Sequence, residues 1–147
     1  MALNDEVAFL SMTPVFKGFE RDALRRLALS AQTRLLRAGE VLYRQGDPAE
    51  GGFVIMSGRI DIESALDGKK FLAGAGDLLG ELSLIIETQW PSTAIVRDSA
   101  SVMRISRSLM LRILAEFPAS AVACRDVFAR RLGRMSSELE EIRQVLL

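Results

Sequence analysis

Two runs of the chain bring together residue types that could hold a small ligand. Gly80-Glu81-Leu82-Ser83-Leu84 supplies a conformationally free backbone position, a carboxylate and a hydroxyl. Pro91-Ser92-Thr93-Ala94-Ile95-Val96 adds two more hydroxyls directly after a proline. An anion is well held by backbone N–H groups that converge at the start of a short helix, where the helix dipole is positive. Gly80 lets the backbone approach a ligand closely and take a turn conformation that is costly for other residues. Glu81 can accept a charge-assisted hydrogen bond from a ligand hydroxyl, whereas Ser92 offers one donor and no charge. Trp90 stands immediately before the proline, a bulky apolar group at the edge of the expected pocket.

Other chemistry is excluded by what the chain lacks. It has no histidine and a single cysteine, Cys124. The commonest general base is therefore missing, with every Ser-His or Cys-His nucleophile pair and the usual ligands of a metal-dependent cupin barrel. One thiol makes neither an internal disulfide nor an iron–sulfur cluster. No spacing of Asp, Glu, Ser and Lys singles out a nucleophile with its base, so the expectation is a protein that is not an enzyme and needs no cofactor. Lys+Arg and Asp+Glu both total 19, which gives no global field to attract nucleic acid or a membrane surface. No apolar run reaches the length of a membrane span, and Met1–Leu10 carries Asp5 and Glu6 rather than a basic leader. With 49% hydrophobic and 26% charged residues the chain suits a soluble globular core, and a reducing, cytoplasmic setting is expected.

The elements that must position these residues follow from periodicity. A length of 147 residues is one domain with room for a helical extension. Asn4 to Leu10 and Glu20 to Ala31 alternate apolar and charged residues at helical spacing, with Leu24, Leu27, Ala28 and Ala31 forming one stripe. Between them Thr13-Pro14-Val15-Phe16-Lys17-Gly18-Phe19 is a turn with aromatic anchors. From Thr33 to Ser106 glycines punctuate short apolar runs. Val41–Arg44, Phe53–Met56, Arg59–Glu63 and Lys70–Ala73 are predicted strands, and Ser92 to Ser106 supplies two more, with Val102, Met103 and Ile105 inward. Ile60 and Ile62 alternate with Asp61 and Glu63, and Asp67-Gly68 signals a hairpin between Ile62 and Phe71. Many short strands with even turns indicate a β-sandwich or jelly roll. Ser106 or Ser108 is expected to cap a helix over Leu109 to Phe117, which Pro118 ends or redirects.

In this setting the two ligand-holding runs resemble the phosphate-binding cassette of a cyclic-nucleotide-binding domain, of the cyclic-AMP-receptor/FNR sensor type. That cassette runs Gly-Glu-Leu-Ala-Leu, a short loop, then Pro-Arg-Ala-Ala-Thr-Val. Gly39-Glu40-Val41-Leu42, Gly46-Asp47-Pro48, Phe53 to Ile60 and Ile105-Ser106-Arg107 match further marks of the family, so the resemblance covers about Pro14 to Pro118. It implies an α+β fold, a jelly-roll barrel flanked by N-terminal helices and a long C-terminal helix. It also implies a regulatory ligand-binding module of bacterial type with cyclic AMP or cyclic GMP as possible ligand. Gly80, Glu81, Leu82, Ser83, Ser92 and Thr93 are the implied binding residues. Glu81 would hold the ribose hydroxyl, N–H groups around Ser83, Ser92 and Thr93 the phosphate, and the helix near Cys124 to Phe128 would cover the base.

One departure matters. Ser92 stands where the family has the arginine that neutralises the phosphate. A hydrogen bond to a charged group is worth about 1.5–3 kcal/mol, so its loss implies about tenfold to hundredfold weaker binding. The loop from Glu81 to Pro91 is also longer than in common members. Arg97 is a candidate displaced cation, although its odd step from Ser92 reverses the face in a regular strand. The alternative is a degenerate interaction module that binds no nucleotide.

From Ala119 the chain is expected to form one long helix to near Leu147, dividing it into 1–118 and 119–147. Phe128, Leu132, Met135, Leu139, Ile142 and Leu146 step 4, 3, 4, 3, 4, an a/d seam expected to make a homodimer. Regulators of the resembled type carry a DNA-binding domain after this helix. The chain reaches Leu147 without one, so direct DNA binding is not expected of it, and it would be the sensor part of such a regulator.

Overall fold

A computed structural model describes residues 3–65 and 67–130. Two amphipathic helices, α1 (Leu3–Met12) and α2 (Arg21–Ser30), flank a single 3-10 turn at Pro14–Phe16. Proline at the start of that turn has its φ already set, and Val15 and Phe16 beyond it are buried. Phe16 meets Phe19 edge to face at 5.3 Å, which anchors the turn as the aromatic spacing predicts.

Eight strands follow: β1 (Gln32–Leu36), β2 (Val41–Tyr43), β3 (Pro48–Ala49), β4 (Gly51–Glu63), β5 (Lys70–Ala73), β6 (Leu78–Leu79), β7 (Thr88–Gln89) and β8 (Thr93–Ser106). Six form one antiparallel sheet in the order β1-β8-β4-β5, with β2 also on β8 and β6 also on β4, while β3 and β7 make a separate ribbon. The fold is thus α+β, as the sequence indicates. Ile62 pairs directly with Phe71 across the β4–β5 hairpin, where Asp67 accepts a hydrogen bond from the Lys69 N–H at 3.0 Å.

Two predicted breaks are absent. Phe53–Met56 and Arg59–Glu63 belong to one long strand, β4, and Ser92 to Ser106 gives one strand, β8, rather than two. For β4 the reason lies at Gly58. It takes φ +88° inside β4, where register shifts on either side mark a bulge, so this glycine bends the strand instead of ending it.

The length of β4 and β8 lets them serve two cores. Alternate residues of a strand face opposite sides. Val54 and Met56 of β4, with Met103 and Ile105 of β8, join the helices in a first core. Phe53, Ile55, Ile60 and Ile62, with Ala94, Val96, Ala100 and Val102, fill a second core with Tyr43, Leu79 and Trp90. This explains the near-continuous apolar run Phe53–Met56.

The chain leaves β8 into α3 (Arg107–Glu116), whose N-cap is Ser106: its hydroxyl accepts from the Leu109 N–H at 3.1 Å. Helical backbone resumes over 118–130, here α4, with Pro118 in the first turn where its missing N–H costs nothing. The buried Ser120 hydroxyl accepts from the Glu20 N–H at 2.9 Å, which ties the start of α4 to the N-cap of α2. Cys124 is buried in the first core, Val127 and Phe128 pack partly buried against it, and Val122 is exposed. Phe128, the first residue of the expected seam, thus contacts the chain's own core, while Leu132, Met135, Leu139, Ile142 and Leu146 lie outside the described residues. Among the described residues no helix is long and apolar enough to cross a membrane.

Candidate functional site

The first ligand-holding run follows β6 and turns into a 3-10 helix at Leu82–Leu84, and the second leads into β8. Between them β7 pairs with β3, Pro48 with Gln89 and Ala49 with Thr88. The Trp90 N–H donates to the Asp47 carbonyl and the Trp90 carbonyl accepts from the Gly46 N–H, both at 2.9 Å. The Gly46-Asp47-Pro48 motif therefore clamps the end of the lengthened loop.

This folding brings Gly80, Glu81, Leu82, Ser83 and Ser92 to one cavity of about 390 Å³. Thr93 is not among its described lining residues, and its hydroxyl instead accepts from the Gln45 N–H at 3.0 Å. Most of the remaining wall is apolar, with Ile62, Leu78 and Leu79 beside the aromatic residues Tyr43, Phe71 and Trp90. No lysine or arginine lines the cavity among the described residues.

Trp90 forms part of the wall itself. Only 6% exposed, it stacks on Tyr43 with ring centroids 3.7 Å apart and planes 10° from parallel, and lies 5.9 Å from Phe53. Gly80, at φ +80°, lies beneath its edge: a Cβ there would fall 2.5 Å from Trp90 Cη2. The conformational freedom expected to serve a ligand thus also makes room for an indole.

The hydroxyls are already engaged. Ser83 Oγ lies 2.5 Å from the Gly51 carbonyl oxygen and 2.6 Å from that of Gly80, so it braces backbone. Ser92 is 8% exposed and hydrogen-bonds the Tyr43 phenol. Burial pushes that phenol up to about 12, and the bond from Ser92 draws it part of the way back. Where the family carries a guanidinium, this chain has a neutral phenol–hydroxyl pair.

Glu81 borders the cavity and also acts on α4. Burial chiefly, and the Glu81 charge second, push the Cys124 thiol up to about 11. Cys124 and Phe128 pack in or against the first core, and neither is among the described residues lining the cavity. The expected cover over a base is therefore not formed by these two side chains.

The candidate displaced cation is held elsewhere. Arg97 Nε and Nη2 each lie 3.1 Å from a carboxylate oxygen of Asp61, and Arg97 borders a neighbouring cavity of about 360 Å³. An arginine whose role at the site the sequence did not reveal is Arg107, the first residue of α3. Its Nη1 lies 3.1 Å from the Ala49 carbonyl oxygen, 3.2 Å from that of Ser83 and 3.0 Å from that of Ile86. It thereby joins β3, the 3-10 turn and the following loop to a helix. Arg107 was visible in the sequence only as part of a motif marking the exit from the strands.

Residues 33–117 match the family profile described as the cyclic nucleotide-binding domain. The chain is 27% identical over 142 residues to a CRP-like cAMP-activated global transcriptional regulator of Mycobacterium tuberculosis, across 94% of this chain and 62% of that regulator. A solved cyclic nucleotide-binding-like protein from Brucella abortus is 34% identical, with TM-score 0.68, across 76% of this chain and 98% of the other. The N-terminal domain of a transcriptional regulator from Streptomyces coelicolor shares the fold at TM-score 0.78 and 23% identity, across 88% of this chain and 95% of that domain. With a family profile matched over more than half of the chain and the antiparallel architecture in agreement, the chain belongs to the cyclic nucleotide-binding domain family.

Proposed function

We propose that this chain is a ligand-responsive sensor module of the kind found in CRP-like regulators, with its ligand site at the cassette cavity. The observation that carries this reading is the convergence of Gly80, Glu81, Leu82, Ser83 and Ser92 on a cavity of about 390 Å³, within the size range of small-molecule sites. Thr93 contributes from behind by holding the Gln45 backbone. The Mycobacterium tuberculosis relative is named for activation by cAMP, which makes cyclic AMP the first ligand to test.

A ligand shifts a conformational equilibrium only through a difference in affinity for its two states. Here the cassette can express such a difference in two directions. Arg107 holds the Ser83 and Ile86 carbonyls and begins α3. The charge of Glu81 is felt at Cys124 on α4. Movement of the 3-10 turn would thus alter the seating of both helices. The output surface in this reading is the later part of the apolar seam, Leu132 to Leu146, through which the chain would form a homodimer. In this reading 1–118 is the sensor and 119–147 its dimerising helix.

A second reading is favoured by Ser92: a module that keeps the fold and the interaction surface but binds no nucleotide. Calorimetric titration with cyclic AMP and cyclic GMP, on the natural chain and on Ser92→Arg, separates the two. The sensor reading expects nucleotide binding that is about tenfold to hundredfold weaker in the natural chain than in the variant. If neither protein binds either nucleotide or any other small molecule tried, the interaction module stands instead.

A further inference from the structure

We infer that the cassette cavity selects an uncharged, mainly apolar molecule carrying a hydrogen-bond acceptor, and that the Tyr43–Ser92 pair sets this selectivity. The inference rests on the sensing reading and names the class of ligand sensed.

Four observations converge on it. First, the described wall carries three aromatic side chains, several aliphatic ones and the acidic residue Glu81, and neither lysine nor arginine. Second, the two arginines placed nearest by sequence or contact are committed, Arg97 to the Asp61 carboxylate and Arg107 to three carbonyls. Third, Ser92 is nearly fully buried against the Tyr43 phenol, and both residues line the cavity. Fourth, Phe71 at 60% and Leu82 at 48% exposure are apolar lining residues whose surface an occupant would remove from water.

These features favour a neutral occupant over a phosphate. An anion brought into this wall loses hydration and meets no fixed cation among the described side chains, a combination that is strongly unfavourable. A phenol that stays protonated across the physiological range is a neutral donor. The Tyr43 phenol borders the cavity and is able to donate its proton to a ligand oxygen. Stacking on Trp90 fixes the ring in place, so little ordering is required when the ligand binds.

The test uses the full chain and pairs of probes that share an aromatic body and differ by a charged phosphate group: 2-naphthol with 2-naphthyl phosphate, and adenosine with cyclic AMP. Calorimetry should show the neutral member of at least one pair binding about tenfold or more tightly than its charged partner. Tyr43→Phe removes only the phenol oxygen. It should weaken the neutral probe about twofold to tenfold, the worth of one neutral hydrogen bond, with the thermal unfolding of the protein as a control for folding. Ser92→Arg should narrow or reverse the preference. Tighter binding of the charged member in both pairs would overturn the inference and leave the sensing reading intact. Silence from all four probes would count against the sensing reading itself, and the inference would fall with it.

Discussion

A methyl group placed on Gly80 would lie 2.5 Å from Cη2 of Trp90 and 2.9 Å from the Gly51 carbonyl oxygen, both far inside van der Waals contact. Its φ of +80° adds a backbone penalty for any residue with a Cβ. Gly80→Ala is therefore expected to destabilise the fold by about 2–4 kcal/mol, the sum of positive-φ strain and a displaced aromatic ring. Urea unfolding measures this directly. A Trp90→Leu background should return part of the loss, because the smaller side chain leaves room for the methyl while the strain remains. If Gly80 serves only ligand approach, Gly80→Ala would reduce binding and cost no more stability than its positive-φ strain, and the Trp90 background would make no difference. The glycine itself was legible in the sequence, as was Trp90 at the pocket edge. Their contact was not, because it spans ten residues and depends on the Gly46–Asp47 turn holding Trp90 by both of its backbone groups. The Tyr43–Ser92 bond was hidden for the same reason: it joins the end of β2 to the residue before β8, two strands far apart in sequence that pair in the sheet.

At the scale of elements, the 3-10 turn at Leu82–Leu84 is too short to hold its own position. Its internal bonds are those of one turn, Leu84 N–H to Glu81, and the N–H groups of Ile85 and Ile86 to Leu82. The surrounding structure supplies the rest through Ser83 Oγ on the Gly51 carbonyl and Arg107 on the Ser83 and Ile86 carbonyls. Arg107→Met keeps much of the apolar stem and removes the donors, so three carbonyls lose a charged partner. The expected cost is about 1.5–3 kcal/mol, typical of a hydrogen bond to a charged group. Backbone exchange at 84–86 should quicken more than in the β4–β8 pairing, since the opening is local. Exchange that rises equally in both regions would mean that Arg107 supports the whole fold rather than the cassette. Local signals gave most of the secondary structure: the Ser106 cap, the Asp67-Gly68 hairpin and the stripe of α2. Arg107 carried no such signal, because its partners lie 58, 24 and 21 residues away. The unbroken β4 was missed for a related reason. A glycine between apolar runs marks a turn or a bulge equally well until the partner strand is known, and here β8 continues alongside it.

For the whole molecule, the described part of α4 belongs to the chain's own fold. Ser120 bonds the Glu20 N–H, Gly18 leaves space for Ala123, and Cys124, Val127 and Phe128 face the first core. The described residues of α4 are thus largely occupied within the chain, so the homodimer proposed above would rest on the later seam residues Leu132, Met135, Leu139, Ile142 and Leu146. A glutamate at an apolar a/d position places a charge in a dry interface, which costs several kcal/mol when unpaired. Leu139→Glu is therefore expected to convert a dimer into a monomer in sedimentation velocity, with the thermal unfolding of the sensor fold little changed at matched concentration. A dimer that survives this substitution would place the self-association surface elsewhere. The same variant tests whether the cavity and the helix communicate. Binding and dimerisation that share a conformational equilibrium are linked reciprocally, so a ligand that tightens the dimer by some factor must bind the dimer more tightly than the monomer by the same total factor. The probe that binds best should therefore lose affinity for Leu139→Glu if it favours the dimer, and gain affinity if it opposes it. Equal affinity for both forms would leave the cavity and the seam as independent sites on one fold.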